Sequence, residues 1–248
     1  MALALIDADT IYYRAAFKKN KVEIRKQIND TMATIKNALI DFDEYQQRVA
    51  VKGKGNYRKD LYPKYKANRK VDDELKQYLN YGHQFMVDEY QAVMADGMEA
   101  DDLVSIWAYE ARELELPYCV VGIDKDLLQI PGNHYNFNKQ EGQFVDDDTA
   151  NLNLMLQCLT GDSTDNIPGI KGIGPKKADK ILSGIPMARR WSRVRAAWRG
   201  HGAGNPELSR DLLRMLTSWE EFDAIKAQIS GEAPQCKQND GPKQDVQD

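Results

Sequence analysis

Cysteine and histidine are scarce, with three of each in 248 residues. Cys119, Cys158 and Cys236 form no Cys-x-x-Cys pair and no even framework, which argues against a disulfide scaffold and for a reducing compartment. His83, His134 and His201 lie far apart, so zinc-ligand spacing is missing too. No apolar run approaches the ~18 residues of a membrane span. The apolar opening MALALI meets Asp7 too early for a signal peptide. A soluble, cytoplasmic protein with no membrane partner is expected. Positive charge is also in deficit: 34 Lys and Arg stand against 38 Asp and Glu, a net charge of −4. That deficit does not exclude a nucleic-acid partner, because the distribution of charge decides binding and two divalent cations would offset it.

What is present is a chain long enough to bury a real core. ALALID reads as a buried strand ending at Asp7, followed by helical TIYYRAAF. Apolar residues from Glu23 to Tyr45 (Ile24, Ile28, Met32, Ile35, Leu39) have helical spacing, and QRVAV is a second strand. A helix over 99–114 precedes a third strand, YCVVGI. Strands alternating with helices predict an α/β fold with a mostly parallel central sheet flanked by helices. From Thr149 the pattern turns helical. The expected domains are 1–148, holding a basic insertion at about 52–85, and a small helical domain at 149–231, with a disordered tail at 232–248.

Acids gather where strands end and helices begin. Asp7 ends the first strand, and Asp124 and Asp126 follow the third. Parallel sheets bind ligands outside the carboxyl ends of their strands, so these side chains should converge. Glu99, Asp101 and Asp102 open a helix, and Asp162 and Asp165 stand three apart in GDSTD. One such pair alone is ordinarily a cap, and Asp146, Asp147 and Asp148 are read that way. Three clusters at ligand-facing ends need cations to relieve their repulsion. All-oxygen donors select Mg²⁺ or Mn²⁺, and two such ions suit phosphodiester hydrolysis.

The stretch 52–70 interleaves Lys52, Lys54, Arg58, Lys59, Lys64, Lys66, Arg69 and Lys70 with Tyr57, Tyr62 and Tyr65. Cations track a phosphate backbone and aromatics stack on bases, so Arg58, Tyr65, Lys66 and Arg69 are DNA-contact candidates. In GIKGIGPKKADKIL the turn at Gly172 and Gly174 lets backbone approach a phosphate. Lys176 and Lys177 add charge where a helix begins. This is a helix–hairpin–helix pattern for duplex binding.

Together LIDADTIYYRA, NYRKDLYPKYKANR, MEADDLV, GIDKDLLQI and GDSTDNIPGIKGIGPKKA resemble, in order, the motifs of the 5′-nuclease (flap endonuclease) family. That family includes the 5′→3′ exonuclease domain of bacterial DNA polymerase I and stand-alone phage exonucleases. The resemblance implies a metal-dependent 5′→3′ exonuclease or flap endonuclease acting in replication on DNA 5′ flaps and duplex ends, RNA–DNA hybrids included. It implies a monomer, with any polymerase partner supplied in trans. Asp7, Glu99, Asp101, Asp102, Asp124, Asp126, Asp162 and Asp165 would ligate two Mg²⁺ or Mn²⁺ ions, Asp7, Asp124 and Asp162 being central to catalysis. Lys66 and Arg69 would hold the scissile phosphate under an arch formed by 52–85, and the hairpin would grip duplex and hold K⁺.

The chain departs from the family at one acid. An aspartate usually ends the second strand, where this sequence has Val51 or Gly53, in VAVKGKGNYR. Asp9 is the candidate substitute, against the plainer reading that it caps the next helix. Two other classes fit less of the chain. IDADTI resembles the nucleophile motif of haloacid-dehalogenase-type phosphatases, with Asp7 attacking and Asp9 as acid. A non-catalytic module gripping DNA ends would account for the missing aspartate.

Overall fold

The computed structural model describes residues 2–39, 45–202 and 204–231. Strand β1 (Ala2–Asp7) is buried along its whole length, as an uninterrupted apolar run in a parallel sheet should be. It pairs in parallel with β2 (Tyr45–Lys52) on one side and β4 (Tyr118–Val121) on the other. Beyond them lie β3 (Val93–Ala95), β5 (Gly132–Asn136) and β6 (Glu141–Val145), in the order β3-β2-β1-β4-β5-β6, with β6 antiparallel. The mostly parallel sheet is as expected. Strands β3, β5 and β6 were not, because VMA, GNHYN and EGQFV are short or polar edge segments without a strand's apolar signature.

Strand order reverses direction between β1 and β4. The crevice outside their carboxyl ends is the site such a sheet offers to a ligand, and Asp7 and Asp124 stand at it. Helices α1 (Asp9–Ala16), α2 (Lys21–Ala38) and α4 (Asp73–Tyr90) cover one face, burying Ile6, Ile11, Ile28, Val51 and Met86 together. Asn20 starts α2 by accepting the Val22 and Glu23 N–H groups, and the helix ends at Ala38, well before Tyr45. The opposite face packs on α5 (Ala100–Glu113) through Leu5, Leu103 and Ile106.

The stretch 52–85 is not a featureless insertion standing off the body. After the short α3 (Tyr57–Leu61), α4 lies along α1 and α2 with Leu75, Gly82 and Met86 buried. That helical spacing was hidden by the charges around it. Gly82 lets Tyr12 come close: a Cβ there would lie 3.1 Å from that of Tyr12.

Helix α6 (Asp147–Thr160) begins as Asp146 accepts the Thr149 N–H at 2.7 Å, confirming the cap reading. Asp147 and Asp148 pair instead with Arg112 and Arg190. A two-residue ribbon, β7 (Gly161–Asp162) with β8 (Ile167–Pro168), follows. Then come α7 (Pro175–Leu182), α8 (Met187–Gly200) and α9 (Pro206–Leu213). They share a core of Met155, Leu159, Ile170, Leu182, Val194 and Trp198, into which Tyr65 also inserts. Helix α10 (Trp219–Ser230) then returns to the sheet domain, where Phe222 joins the cluster of Leu103. The boundary at 148 is therefore crossed twice by packing. The tail expected at 232–248 lies outside the described residues.

One buried ion pair ties these parts. The Arg58 side chain is 3% exposed and that of Asp102 fully enclosed. Arg58 donates Nη1 and Nη2 to the two carboxylate oxygens, Nε to the Leu212 carbonyl and Nη2 also to that of Arg214. Asp102 accepts in addition from the Leu216 and Glu99 N–H groups. Removing one member leaves the other charged in a low-dielectric interior. Arg58→Ala should lower the unfolding free energy by about 3–5 kcal/mol in urea titration. A loss below ~1 kcal/mol would show that the pair does not hold α3, α5 and α9 together.

Candidate active site

Asp7 is 5% exposed at the end of β1, and its Oδ1 accepts the Asp9 N–H at 3.1 Å. Burial, with Asp9, Asp124 and Glu99 nearby, pushes its carboxyl up to about 8. Gly122 lets Asp7 and the segment after β4 approach: a Cβ there would lie 3.6 Å from that of Asp7 and 2.2 Å from Leu127 Cδ1. Asp124 caps the 3₁₀ turn Lys125–Gln129 by accepting the Asp126 N–H at 3.0 Å. Burial and the Asp124 charge push Asp126 up to about 6, while Gln157 donates to it.

Glu99 precedes α5 and Asp101 lies in its first turn. Burial raises Glu99, but Lys66 and Arg58 outweigh it and hold the carboxyl down to about 2. At Asp101 the same two cations do not suffice: burial together with Glu99 and Asp102 pushes it well above the usual carboxylate range.

The turn after α6 presents the remaining pair. Gly161 and Gly169 cross closely, a Cβ on Gly169 falling 2.1 Å from the Thr160 carbonyl carbon, and this fixes the base of the GDSTDN turn. Asp162 Oδ1 accepts the Thr164 N–H at 2.7 Å, and Oδ2 takes Lys125 Nζ at 3.0 Å. Despite its burial, Lys125 and these backbone donors keep Asp162 below the ordinary value. Asp165 receives Arg69 Nη2 and the Tyr65 hydroxyl, with Lys66 Nζ at 3.5 Å. Lys66 adopts a left-handed backbone (φ 53°), donates its N–H to the Asp165 carbonyl and places its ammonium on Glu99.

Electrostatic and hydrogen-bond contacts link these acids in series: Asp7 to Asp124 and Glu99, Asp126 to Asp124 and Asp162, and Glu99 to Asp101 and, through Tyr65 and Lys66, to Asp165. Among the described residues no three His, Cys, Asp or Glu side chains are arranged around one metal position. Lys66, Arg69 and Lys125 occupy carboxylates there. The donor set is all oxygen, and the raised Asp7 and Asp101 carry repulsion that a cation would relieve, so it fits hard divalent ions.

Three sequence expectations need correction. Asp102 is not free to ligate a metal, since both its oxygens are committed to Arg58 and to two backbone donors. Arg58 is consumed by that pair and by two carbonyls, so it does not face DNA. Tyr65 is 3% exposed, too enclosed to stack on a base, and its hydroxyl holds Glu99 at 2.6 Å.

Asp9 is not the cap of α1. Its Oδ1 accepts the Lys52 N–H at 2.7 Å and the Tyr12 hydroxyl at 3.1 Å, which places a carboxylate against the end of β2. Gly53 has no room for an acid: a Cβ would meet the Ala95 carbonyl carbon at 2.5 Å. Val51 is buried among Ile6, Ile11 and Met86. Lys125, Gln157 and Tyr12 were not singled out from sequence. Lys125 had a signal, lying between two acids in GIDKDLL.

The hairpin residues are exposed on the far side of this turn. Gly172 has φ 81°, a conformation suited to glycine, and open space lies around it and Gly174. Lys176 and Lys177 are exposed at the start of α7, with Lys177 Nζ donating to the Gly172 carbonyl.

The family model of the 5′-3′ exonuclease, N-terminal resolvase-like domain, matches residues 2–153. The chain belongs to this 5′-nuclease family. It is 31% identical over 180 residues to DNA polymerase I of Rhizobium leguminosarum, covering 65% of this chain and 18% of the polymerase. It is 33% identical over 141 residues to flap endonuclease Xni of Shewanella putrefaciens, covering 51% of this chain and 52% of that protein. The chain therefore spans less than two thirds of these relatives. The structure is similar to bacteriophage T5 flap endonuclease in a complex with DNA and metal ions, with a TM-score of 0.65 over 93% of this chain and 96% of that one. At 18% identity that likeness is one of fold.

The raised acids of this 5′-nuclease site carry a stability consequence. Folded Asp7 titrates at about 8, against an unfolded value of ~3.9. Between those values the folded chain holds a proton that the unfolded chain has released, so stability falls as pH rises. The buried His134, whose value is lowered by burial, has finished its opposite contribution above ~6.5. In chelator the melting temperature should therefore drop between pH 7 and 8. Asp7→Asn should lessen that drop, leaving the part carried by the raised Asp101, and an unchanged slope would show that Asp7 is not a titrating group.

Proposed function

We propose that this chain is a divalent-metal-dependent 5′→3′ exonuclease or flap endonuclease, hydrolysing phosphodiester bonds near DNA 5′ ends with two Mg²⁺ or Mn²⁺ ions. The observation that carries this reading is the set of acids linked around Asp7, Asp124 and Glu99 at the ends of β1 and β4 and the start of α5, with Lys66 on Glu99 and Arg69 on Asp165. Bound there, such ions supply an activated water and stabilise the departing oxygen. Asp7, Glu99, Asp101, Asp124, Asp126, Asp162 and Asp165 would hold them, directly or through water. Lys66 and Arg69, which pair with Glu99 and Asp165, would bind the scissile phosphate in this reading. The open turn at Gly172 and Gly174, with Lys176 and Lys177, would hold duplex backbone.

The phosphatase alternative fits poorly. It needs Asp9 as a free acid beside Asp7, whereas Asp9 is engaged by Lys52 and Tyr12.

A 5′-labelled flap should be cut in Mg²⁺ and left intact in excess chelator. Asp124→Ala should abolish cutting while duplex binding persists. Lys66→Ala should slow single-turnover cleavage by at least ~10²-fold, the scale for one preorganised donor. An effect of Lys66→Ala on affinity alone would make it a binding residue.

Asp9 takes the place of the missing aspartate in this reading. Asp9→Asn keeps an acceptor for the Lys52 N–H but removes the charge. Calorimetric Mn²⁺ affinity should fall in this variant with little change in melting temperature. If Mn²⁺ binds as in the wild type, Asp9 serves only as a strap between α1 and β2.

A further inference from the structure

Helix α8, MARRWSRVRAAWRG, contains five arginines and no acid. Arg190 is buried and donates to the Asp148 carboxylate and carbonyl, which accounts for one of them. Arg189, Arg193, Arg195 and Arg199 are exposed. At ~100° per residue they fall, with Ser192 and Ala196 between them, in a sector of roughly 160° opposite the buried Val194 and Trp198.

Folding explains only part of this arrangement, since Arg199 stands in the last turn, where the dipole favours a cation. Arg189 lies in the first turn, where the helix dipole disfavours cations. Arg189 with Arg193, and Arg195 with Arg199, are like-charged pairs four apart, which repel. An apolar or mixed surface would stabilise the helix better, so the pattern needs a polyanion to offset it.

The face continues the hairpin. Helix α7 starts at the Gly172–Gly174 turn and exposes Lys176, Lys177 and Lys180. Arg193 Nε donates to the Ile181 carbonyl at 3.3 Å, joining the arginine face to the last turn of α7. Arg195 leans on Trp191, its guanidinium 5.9 Å from the ring centroid.

We propose that the exposed face of α8 is a second duplex-binding surface, on which its four arginines follow the phosphate backbone beyond the hairpin. It rests on the nuclease reading for the identity of the polyanion. From Arg189 to Arg199 the helix rises ~15 Å, enough to accompany about four phosphates of one strand.

The test is the salt dependence of binding to a long blunt duplex, measured in chelator so that nothing is cut. The combined variant Arg189→Gln, Arg193→Gln, Arg195→Gln, Arg199→Gln should keep the wild-type circular dichroism, its melting temperature moving only slightly as the Arg193 bond to the Ile181 carbonyl and the Arg195 contact with Trp191 are lost. Its log-affinity against log-salt slope should be shallower by about 0.9 for each phosphate no longer neutralised, or about 2–4 in all. Lys176→Ala with Lys177→Ala should remove a separate part of the slope. A slope unchanged in the arginine variant, while the lysine variant lowers it, overturns the proposal. So does an unchanged duplex slope with abolished binding to phosphatidylserine vesicles, which would assign the face to a membrane. Cleavage is scored separately. A protein that cuts no flap, yet has a shallower slope in the arginine variant, would sink the nuclease reading and leave this surface standing.

Discussion

Carboxylate repulsion is the constraint on which the rest of this structure depends. Asp7 lies within electrostatic reach of Glu99 and Asp124, Glu99 of Asp101, and Asp124 of Asp126, at the ends of β1 and β4 and the start of α5. Water would screen such a group cheaply, but the crevice is partly closed, and Asp7 and Asp101 accordingly hold their protons far above the usual range. The fold answers with cations from outside the sheet. Lys66 and Arg69 arrive from the segment after α3, and Lys125 from the turn after β4. The left-handed backbone at Lys66 is a consequence: it turns the chain so that one residue bonds the GDSTDN turn through its N–H and Glu99 through its ammonium.

Acids of identical type do different work here, and hydrogen-bond saturation separates them. Asp102 has both oxygens filled by protein donors, leaving no lone pair for a ligand, and it anchors Arg58 at the junction of the sheet domain with the helices. Asp101, next to it in sequence, accepts the adjacent Asp102 N–H through Oδ1 and is far less saturated. A run of neighbouring acids therefore mixes scaffold with chemistry. The same holds for aromatics: Tyr65 and Tyr57 lie among exposed lysines in sequence but are buried, and Tyr65 reaches into the site from beneath.

The sheet and the converging acids were legible because both follow from simple periodicity. ALALID and YCVVGI read as buried strands, and acids just past them had to meet at the sheet's crevice. Short edge strands were illegible, since three residues such as VMA carry no period. Helix α4 was masked by charge: Leu75, Gly82 and Met86 have helical spacing, yet glycine gives no apolar signal although it lets Tyr12 pack closely. The fates of Arg58, Tyr65 and Asp102 depend on partners 34 to 156 residues away, which no local pattern encodes. Asp9 shows the limit most clearly. A helix start two residues after Asp7 suggests a cap, whereas its oxygen accepts from Lys52, 43 residues on, at the end of the strand that lacks the family's acid.

The formal charge of −4 misleads because it averages surfaces that a partner never meets together. Exposed charges act over about 10 Å at ordinary salt, so a bound polyanion responds to the local face and not to the total. Many of the acids face inward to the crevice or are paired, as Asp102, Asp147 and Asp148 are. The basic residues of α7 and, apart from the buried Arg190, those of α8 are exposed, and α8 has no acid at all. Segregation of this kind works against the helix that bears it, through its dipole and its like-charged neighbours. It is also the arrangement that lets one chain gather cations in a crevice and present cations on a surface without the two neutralising each other.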